Sequence, residues 1–412
     1  MTIAPPRSDL VDLVEFRALF EEARQRRRRR RLIAGATIAL VVALVAGLCV
    51  LVASGSARGR GPTTSPLGPH GLGTFAHPTG VVLVFADGLS LDLDHRTAVV
   101  RTIAGQRAGD QRWDIVRAGD SFVVGWGQVW ASAIAGGAPR MLGPVVTFVP
   151  AAEVGAVWLV NYPGGRIGEG TPTLSEVTTT GRVIQSELGP PPLSGVPTVG
   201  IPGGLAFETS NGIAFWNAKN RAFIRQIGSR AGFIGNAAHG QVAWCEGLCT
   251  SLHVTAVVGS DKQIPSPQSG QVFEPDSVRL SPDGRYVAAI TTREGLGTAN
   301  QLGTLNVIDT RTGHVYVVRD RVSVWSTMTW TADSRTVFFA SENSSGMTVG
   351  RFRVGTRNAD TAEIPIQNAE QFVIVNRSAA KAILSGVAHK PASACSPMVT
   401  TSDPSPVCAF DY

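Results

Sequence analysis

From residue 80 onward the apolar positions come in short runs, and clusters of Gly, Pro, Asn, Asp and Thr separate them. Runs at 81–85, 122–124, 156–160, 213–216 and 337–340 show the pattern. No stretch in this region keeps a helical period of useful length. Short apolar runs bounded by turn residues predict β-strands, and many of them in succession predict an all-β sandwich, barrel or propeller.

The turn spacing selects among these. The best-marked turns lie near His95, Gly136, Thr180, Ala218, Gly259, Arg311 and Thr356, about 38 to 51 residues apart. That is the length of one four-stranded antiparallel blade, so seven turns predict about seven blades of a β-propeller. The clearest unit spans 278–318. Its first apolar run ends at Leu280, passes through Ser281, Pro282, Asp283 and Gly284, and resumes at Tyr286. Pro sets φ for the second position of a turn, and Asp and Gly suit the next two. Fifty residues later Trp330-Thr-Ala-Asp333-Ser334-Arg repeats the arrangement, and a worn third copy lies at 375–383. Ser-Pro-Asp-Gly between two strands resembles the propeller repeats of the Tol-B type, which are related to WD repeats. The resemblance implies a propeller over residues 75–390 and implies no activity, because such propellers host many functions. Ring closure stays open at this level. Strands at 372–375 and 382–384 would join strands at 89–93 and 99–103, which leaves 81–85 either as an inner strand or as part of an eighth blade.

The N-terminal region reads differently. Residues 8–24 suit a short amphipathic helix, with Ser8 as N-cap and Leu10, Leu13, Val14 and Phe20 near one face. Every residue from Arg26 to Arg31 is arginine, and residues 32–53 then carry no charge. Twenty-two residues at about 1.5 Å each span a bilayer core of about 30 Å. The arginines predict a cytoplasmic N-terminus at 1–31 that binds anionic lipid headgroups. The 31-residue basic region and the long apolar run predict an uncleaved signal anchor. Residues 54–74 are rich in Gly, Ser, Thr and Pro and predict a flexible linker. The expected arrangement is a single-pass membrane protein whose propeller lies outside the cytoplasm, followed by a tail at 391–412.

Charge agrees with this partition. The net charge of +6 lies wholly within the first sixty residues, and residues 61–412 are neutral. A nucleic-acid binder needs a basic face on its folded part, and none is evident.

Chemistry-bearing residues are few. Cys49 falls in the apolar run and reads as a small apolar residue. Cys245, Cys249, Cys395 and Cys408 would lie in an oxidising compartment, which favours disulfides Cys245–Cys249 and Cys395–Cys408. Crossed pairing, a metal site and a redox dithiol are the other uses of four such thiols. The histidines, among them His70, His77, His95, His253 and His314, show no ligand spacing. Gly119-Asp120-Ser121 is similar to the nucleophile block of some lipases and esterases, but it sits between two strand runs. Asp92 and Asp94, with Asp87 nearby, read as a solvent-facing strand and its turn. The Gly-rich loop at 164–170 lacks the Lys-Ser/Thr of a phosphate loop, so it and 293–303 read as long blade loops where a ligand would be sought first. The eight Trp read as filler between blades.

No catalytic, cofactor or metal residues are therefore assigned. The leading expectation is a non-enzymatic envelope binding or scaffold module whose partner is another envelope protein or a cell-wall component. A propeller enzyme with an axial site (a hydrolase or lyase) and a sensor signalling through residues 1–31 are the alternatives.

Overall fold

The computed structural model describes residues 72–380 except 87, 101–113, 136–137, 164–170, 190–194, 294–301, 325, 344–345 and 365–370. The expectations for residues 1–71, for Cys49, Cys395 and Cys408, and for the loop at 164–170 lie outside the described residues. No helix among the described residues is long and apolar enough to cross a membrane.

The strands form seven antiparallel sheets. From the axis outward, blade 1 is Phe372–Asn376, Val81–Phe85, Leu89–Asp92 and Thr97–Val100. Blade 2 is Asp114–Ala118, Ser121–Ala133 and Arg140–Val145, and blade 3 is Thr147–Pro150, Ala156–Asn161, Thr173–Thr178 and Val183–Leu188. Blade 4 is Gly195–Ile201, Gly204–Thr209, Gly212–Asn217 and Ala222–Ile227. Blade 5 is Gly232–Ala238, Gln241–Glu246, Ser251–Ala256 and Asp261–Pro265. In blade 6 the inner strand is split into Val272–Phe273 and Arg279–Leu280 by a 3-10 turn at Pro275–Ser277, and Tyr286–Thr292, Leu302–Asp309 and Val315–Ser323 follow. Blade 7 is Thr327–Trp330, Thr336–Asn343, Gly346–Arg353 and Asp360–Ile364.

Blade 2 has only three named strands, yet it fills four positions. The first part of Ser121–Ala133 pairs with Asp114–Ala118, and the later part pairs with Arg140–Val145. The Ile134 amide donates to the Asp120 carbonyl at 2.9 Å, so the two ends of this strand meet. It doubles back at Gly125, where a Cβ would run into the Gln128 carbonyl. Six of the seven turns singled out in the sequence are connections from third to fourth position, one per blade, and the seventh, at Gly136, lies outside the described residues.

Burial explains the sequence pattern. The middle strands are covered on both faces by neighbouring blades, so they read as unbroken apolar runs, as in Gly212–Asn217. The outermost strands alternate, as in Ala222–Ile227. Alternate side chains of one strand serve different neighbours. Leu83 and Phe85 join the core shared with blade 7, while Val82 and Val84 join the core shared with blade 2. Seven such cores, one between each adjacent pair of blades, complete the circle. Trp158 of blade 3 meets Trp216 of blade 4 edge to face at 6.3 Å, and both are fully buried, so these tryptophans do fill space between blades.

Closure follows the first alternative of the sequence reading, with one change. Val81–Phe85 is the second strand of blade 1, and the C-terminal strand Phe372–Asn376 lies inside it, with five partner pairs from Val81↔Asn376 to Phe85↔Phe372. The segment at 382–384 lies outside the described residues. Asp92 corrects another expectation. It is 1% exposed rather than solvent-facing, and Arg377, just past the closing strand, donates to it through Nε at 2.6 Å. Asp94 accepts the Thr79 and Gly80 amides at 2.9 and 2.7 Å. Packing begins already at Leu72, which is buried against blade 7, and the Gly73 amide donates to Glu363. Arg377→Ala removes a charge-assisted bond from a buried carboxylate and should lower stability by about 2–3 kcal/mol. Urea unfolding measures this, and adding Asp92→Asn to the same chain should recover part of the loss.

Cys245 and Cys249 are joined in a disulfide at the tip of blade 5, and both are fully buried. The exposed Leu248 sits in the loop they bracket. Because the bridge closes a loop of sequence separation 4, its effect on unfolded-chain entropy is small. Reduction should lower stability by about 2 kcal/mol. Denaturant midpoints with and without reductant test this, and non-reducing peptide mapping checks the pairing.

Candidate functional site

The seven innermost strands surround a channel of about 760 Å³ on the ring axis. Every blade contributes to its wall, which includes Ile115 and Arg117 of blade 2, Thr198 and Ile201 of blade 4, Asn236 of blade 5, Arg279 of blade 6, Met328 of blade 7 and Phe372 of blade 1. The wall is close-packed. Gly235 lies against Val278 of blade 6, and any Cβ there would collide with it. Asn236 crosses the same seam, accepting the Leu280 amide at 2.6 Å and donating to the Leu280 carbonyl at 3.3 Å.

The mouth is built by the turns from first to second strand. Ala151, Val154, Pro202, His239 and Pro282 line it. In blade 6 this turn is the Ser281–Gly284 motif. The Ser281 hydroxyl donates to Asp283 at 2.6 Å and accepts the Tyr286 amide at 2.9 Å, while Asp283 also accepts the Arg285 amide at 3.0 Å. Gly284 has φ +73°, a left-handed position that explains the glycine. Blade 7 repeats the arrangement with Thr331 donating to Asp333 at 2.6 Å. Ser334 joins the two copies by accepting the Asp283 amide at 2.9 Å. Burial pushes the Asp283 carboxyl up, but bonds from Ser281, Arg285 and Ser334 outweigh it and hold the group below its ordinary value. The Thr331 hydroxyl likewise holds Asp333 down. These residues shape turns, as the sequence suggests; only Pro282 among them faces the channel.

The channel's charges come from residues that the sequence reading did not single out. Arg117 donates through Nε to the Gly119 carbonyl at 3.2 Å and through Nη1 to the Ile374 carbonyl of blade 1 at 3.3 Å. Arg279 donates through Nη1 to the carbonyls of Val278 and Asp276 at 2.8 and 3.0 Å. Burial lowers its proton affinity, with the nearby Asp276 charge opposing this in part. Neither arginine forms an ion pair with a carboxylate among the described residues, whereas Arg285, Arg351 and Arg377 each do. No linear motif marks such residues. An arginine on a short inner strand was the only available signal.

One acidic pair stands behind the mouth. Glu176, on the third strand of blade 3, is 3% exposed and hydrogen-bonds to Glu153 in the mouth turn. Burial, the Glu153 hydrogen bond and the Glu153 charge push its carboxyl up from 4.5 to about 7, and a bond from Gln185 opposes them.

The remaining sequence candidates lie elsewhere. Gly119, Asp120 and Ser121 form the first turn of blade 2 between two strands, in a β context. His253 lies on its strand, bonded to Asp261 at 2.9 Å and stacked on Trp244, whose indole donates to Thr255 at 2.8 Å. His314 precedes the strand Val315–Ser323 rather than lying in it, and His95 sits in a turn beside Asp92. The loop at 164–170 and all but the ends of that at 293–303 lie outside the described residues. No cluster of three metal-binding side chains occurs among the described residues.

A ring of seven radial antiparallel sheets around an axial channel is a β-propeller, and its blade turns resemble those of Tol-B and WD repeats. No protein-family model matches the chain, and no curated protein matches it. Among solved structures, TolB from Acinetobacter baumannii is similar at 13% identity over 71% of this chain and 82% of that one, with a TM-score of 0.40. A putative 6-phosphogluconolactonase from Bacteroides uniformis aligns at 15% identity over 72% and 99%, with a TM-score of 0.45. Citrobacter koseri AztD aligns at 13% over 74% and 88%, with a TM-score of 0.43. At these identities the likeness concerns the fold alone.

The Glu176 environment sets a sign for pH dependence. The folded state holds this proton more tightly than the unfolded chain does. The group therefore favours folding at low pH, and its contribution is lost as pH rises through about 7. Glu176→Gln should flatten the decline in stability between about pH 4.5 and pH 7 and leave the variant more stable than the parent at pH 8. Urea midpoints across that range provide the check.

Proposed function

We propose that the chain is a non-enzymatic binding module of the cell envelope, held by a segment at 32–53 with its propeller outside the cytoplasm and with the axial channel as its binding site. The observation that carries this is the channel itself. All seven blades contribute to it, and its walls combine apolar side chains with polar groups. That composition suits recognition of a ligand or a partner segment. The uncharged run behind six arginines supports the membrane placement. Arg26 to Arg31 would hold anionic headgroups, and the partner would be an envelope protein or a wall component. A second reading, an axial enzyme, is favoured by the convergence of Arg117, His239 and Arg279 from three blades.

A photo-cross-linker at Val154, which is 90% exposed at the mouth, tests the reading in native membranes. The expected result is a discrete adduct with an envelope component, in a membrane fraction whose propeller is cut by externally added protease. A propeller protected from external protease contradicts the placement. Turnover of a small molecule by the purified chain, lost in His239→Ala, favours the enzyme instead.

A further inference from the structure

Two sets of arginines in the propeller differ in the partners they meet. Arg285, Arg351 and Arg377 meet Asp309, Asp360 and Asp92 at 3.2, 2.9 and 2.6 Å. Arg117 and Arg279 line the channel, and the acceptors they meet are backbone carbonyls. They stand on blades 2 and 6, nearly opposite across a seven-membered ring. Asp120, in the mouth turn beside Arg117, forms no ion pair among the described residues. Asp283 and Asp333 are tied into their own turns by Ser281 and Thr331, and Glu153 is engaged with Glu176. Asp276, close to Arg279, opposes only part of the effect of burial on that guanidinium. None of the residues lining the channel is Asp or Glu. The Gln241 side chain also lines it, and its Oε1 is buried without a hydrogen-bond partner.

Two guanidiniums facing one shared channel form an electrostatic trap for an oxyanion. Arginine presents donors in a planar fork that matches carboxylate and phosphate oxygens. Ile115, Ile201, Met328 and Phe372 supply an apolar surface in the same space. We propose that the axial channel binds an organic oxyanion, a carboxylate or phosphate group carried on an apolar body, with Arg117 and Arg279 as its cationic partners. This rests on the binding reading of the same channel and names the chemistry of the ligand.

The test is calorimetric titration of the full chain, in non-ionic detergent, with hexanoate, hexyl phosphate, hexylamine and inorganic phosphate. Hexanoate or hexyl phosphate should bind, and which of them binds more tightly distinguishes the carboxylate source from the phosphate source. Hexylamine should not bind. Arg117 is exposed, so Arg117→Glu should fold normally and weaken the anion at least tenfold, and Arg117→Ala should weaken it several-fold. Raising salt should weaken binding in the parent more than in Arg117→Ala. Arg279→Lys, checked for folding by near-UV circular dichroism, should keep part of the affinity. Equal binding of hexylamine and hexanoate overturns the proposal, as does unchanged hexanoate affinity in Arg117→Glu. Tight binding of inorganic phosphate with none of either hexyl anion overturns the apolar part. An anion that binds in vitro while Val154 captures no envelope component would leave this site standing and remove the envelope-partner reading.

Discussion

The structure depends on the pairing of Phe372–Asn376 with Val81–Phe85. Every blade buries its middle strands only because it has a neighbour on each side. An open ring would leave two large apolar faces and two strand edges unmatched. Closure joins segments almost three hundred residues apart through five partner pairs, and it covers both faces of blade 1 at once. The polar contacts cluster at this seam for the same reason. Arg377 on Asp92, Thr79 and Gly80 on Asp94, and Arg351 on His77 and Asp360 tie the incoming and outgoing chain to the same blades. Long-range pairing of this kind is slow to form, because the entropy of closing the loop precedes the gain from contacts.

What could be read from the chain in advance was whatever repeats locally. Turns near His95, Thr180, Arg311 and Thr356 recur because each blade needs one tight return at its outer edge, with the left-handed backbone supplied by Arg96, Gly181, Gly313 and Gly355. Continuous apolar runs such as Gly212–Asn217 marked strands covered on both faces. Closure was only half legible. Val81–Phe85 looks like any other buried strand, and nothing in its five residues says that its inner partner lies at the far end of the chain. Asp92 was misread for a related reason. Two aspartates alternating on a short strand look solvent-facing until Arg377 arrives from the far end of the chain. Arg117 and Arg279 are ordinary arginines in sequence, and only the axis brings them together.

The fold separates shape from chemistry. Ser281, Asp283, Thr331 and Asp333 use their side chains within their own turns, leaving the channel wall to residues with no structural carboxylate partner. The Glu153–Glu176 pair stands directly behind one mouth turn, so proton uptake in blade 3 bears on the same opening. A rigid ring with a few uncommitted polar groups on its axis suits recognition, because the cavity is held open by packing rather than by the ligand.

One C-terminal strand closes the ring against the N-terminal one. Amide hydrogen exchange of the folded chain, read by peptide mass spectrometry, tests it most directly. Val81–Phe85 and Phe372–Asn376 should be protected together, at the level of the middle strands of blades 4 and 5. Rapid exchange of Phe372–Asn376 in a chain whose other blades stay protected would contradict it.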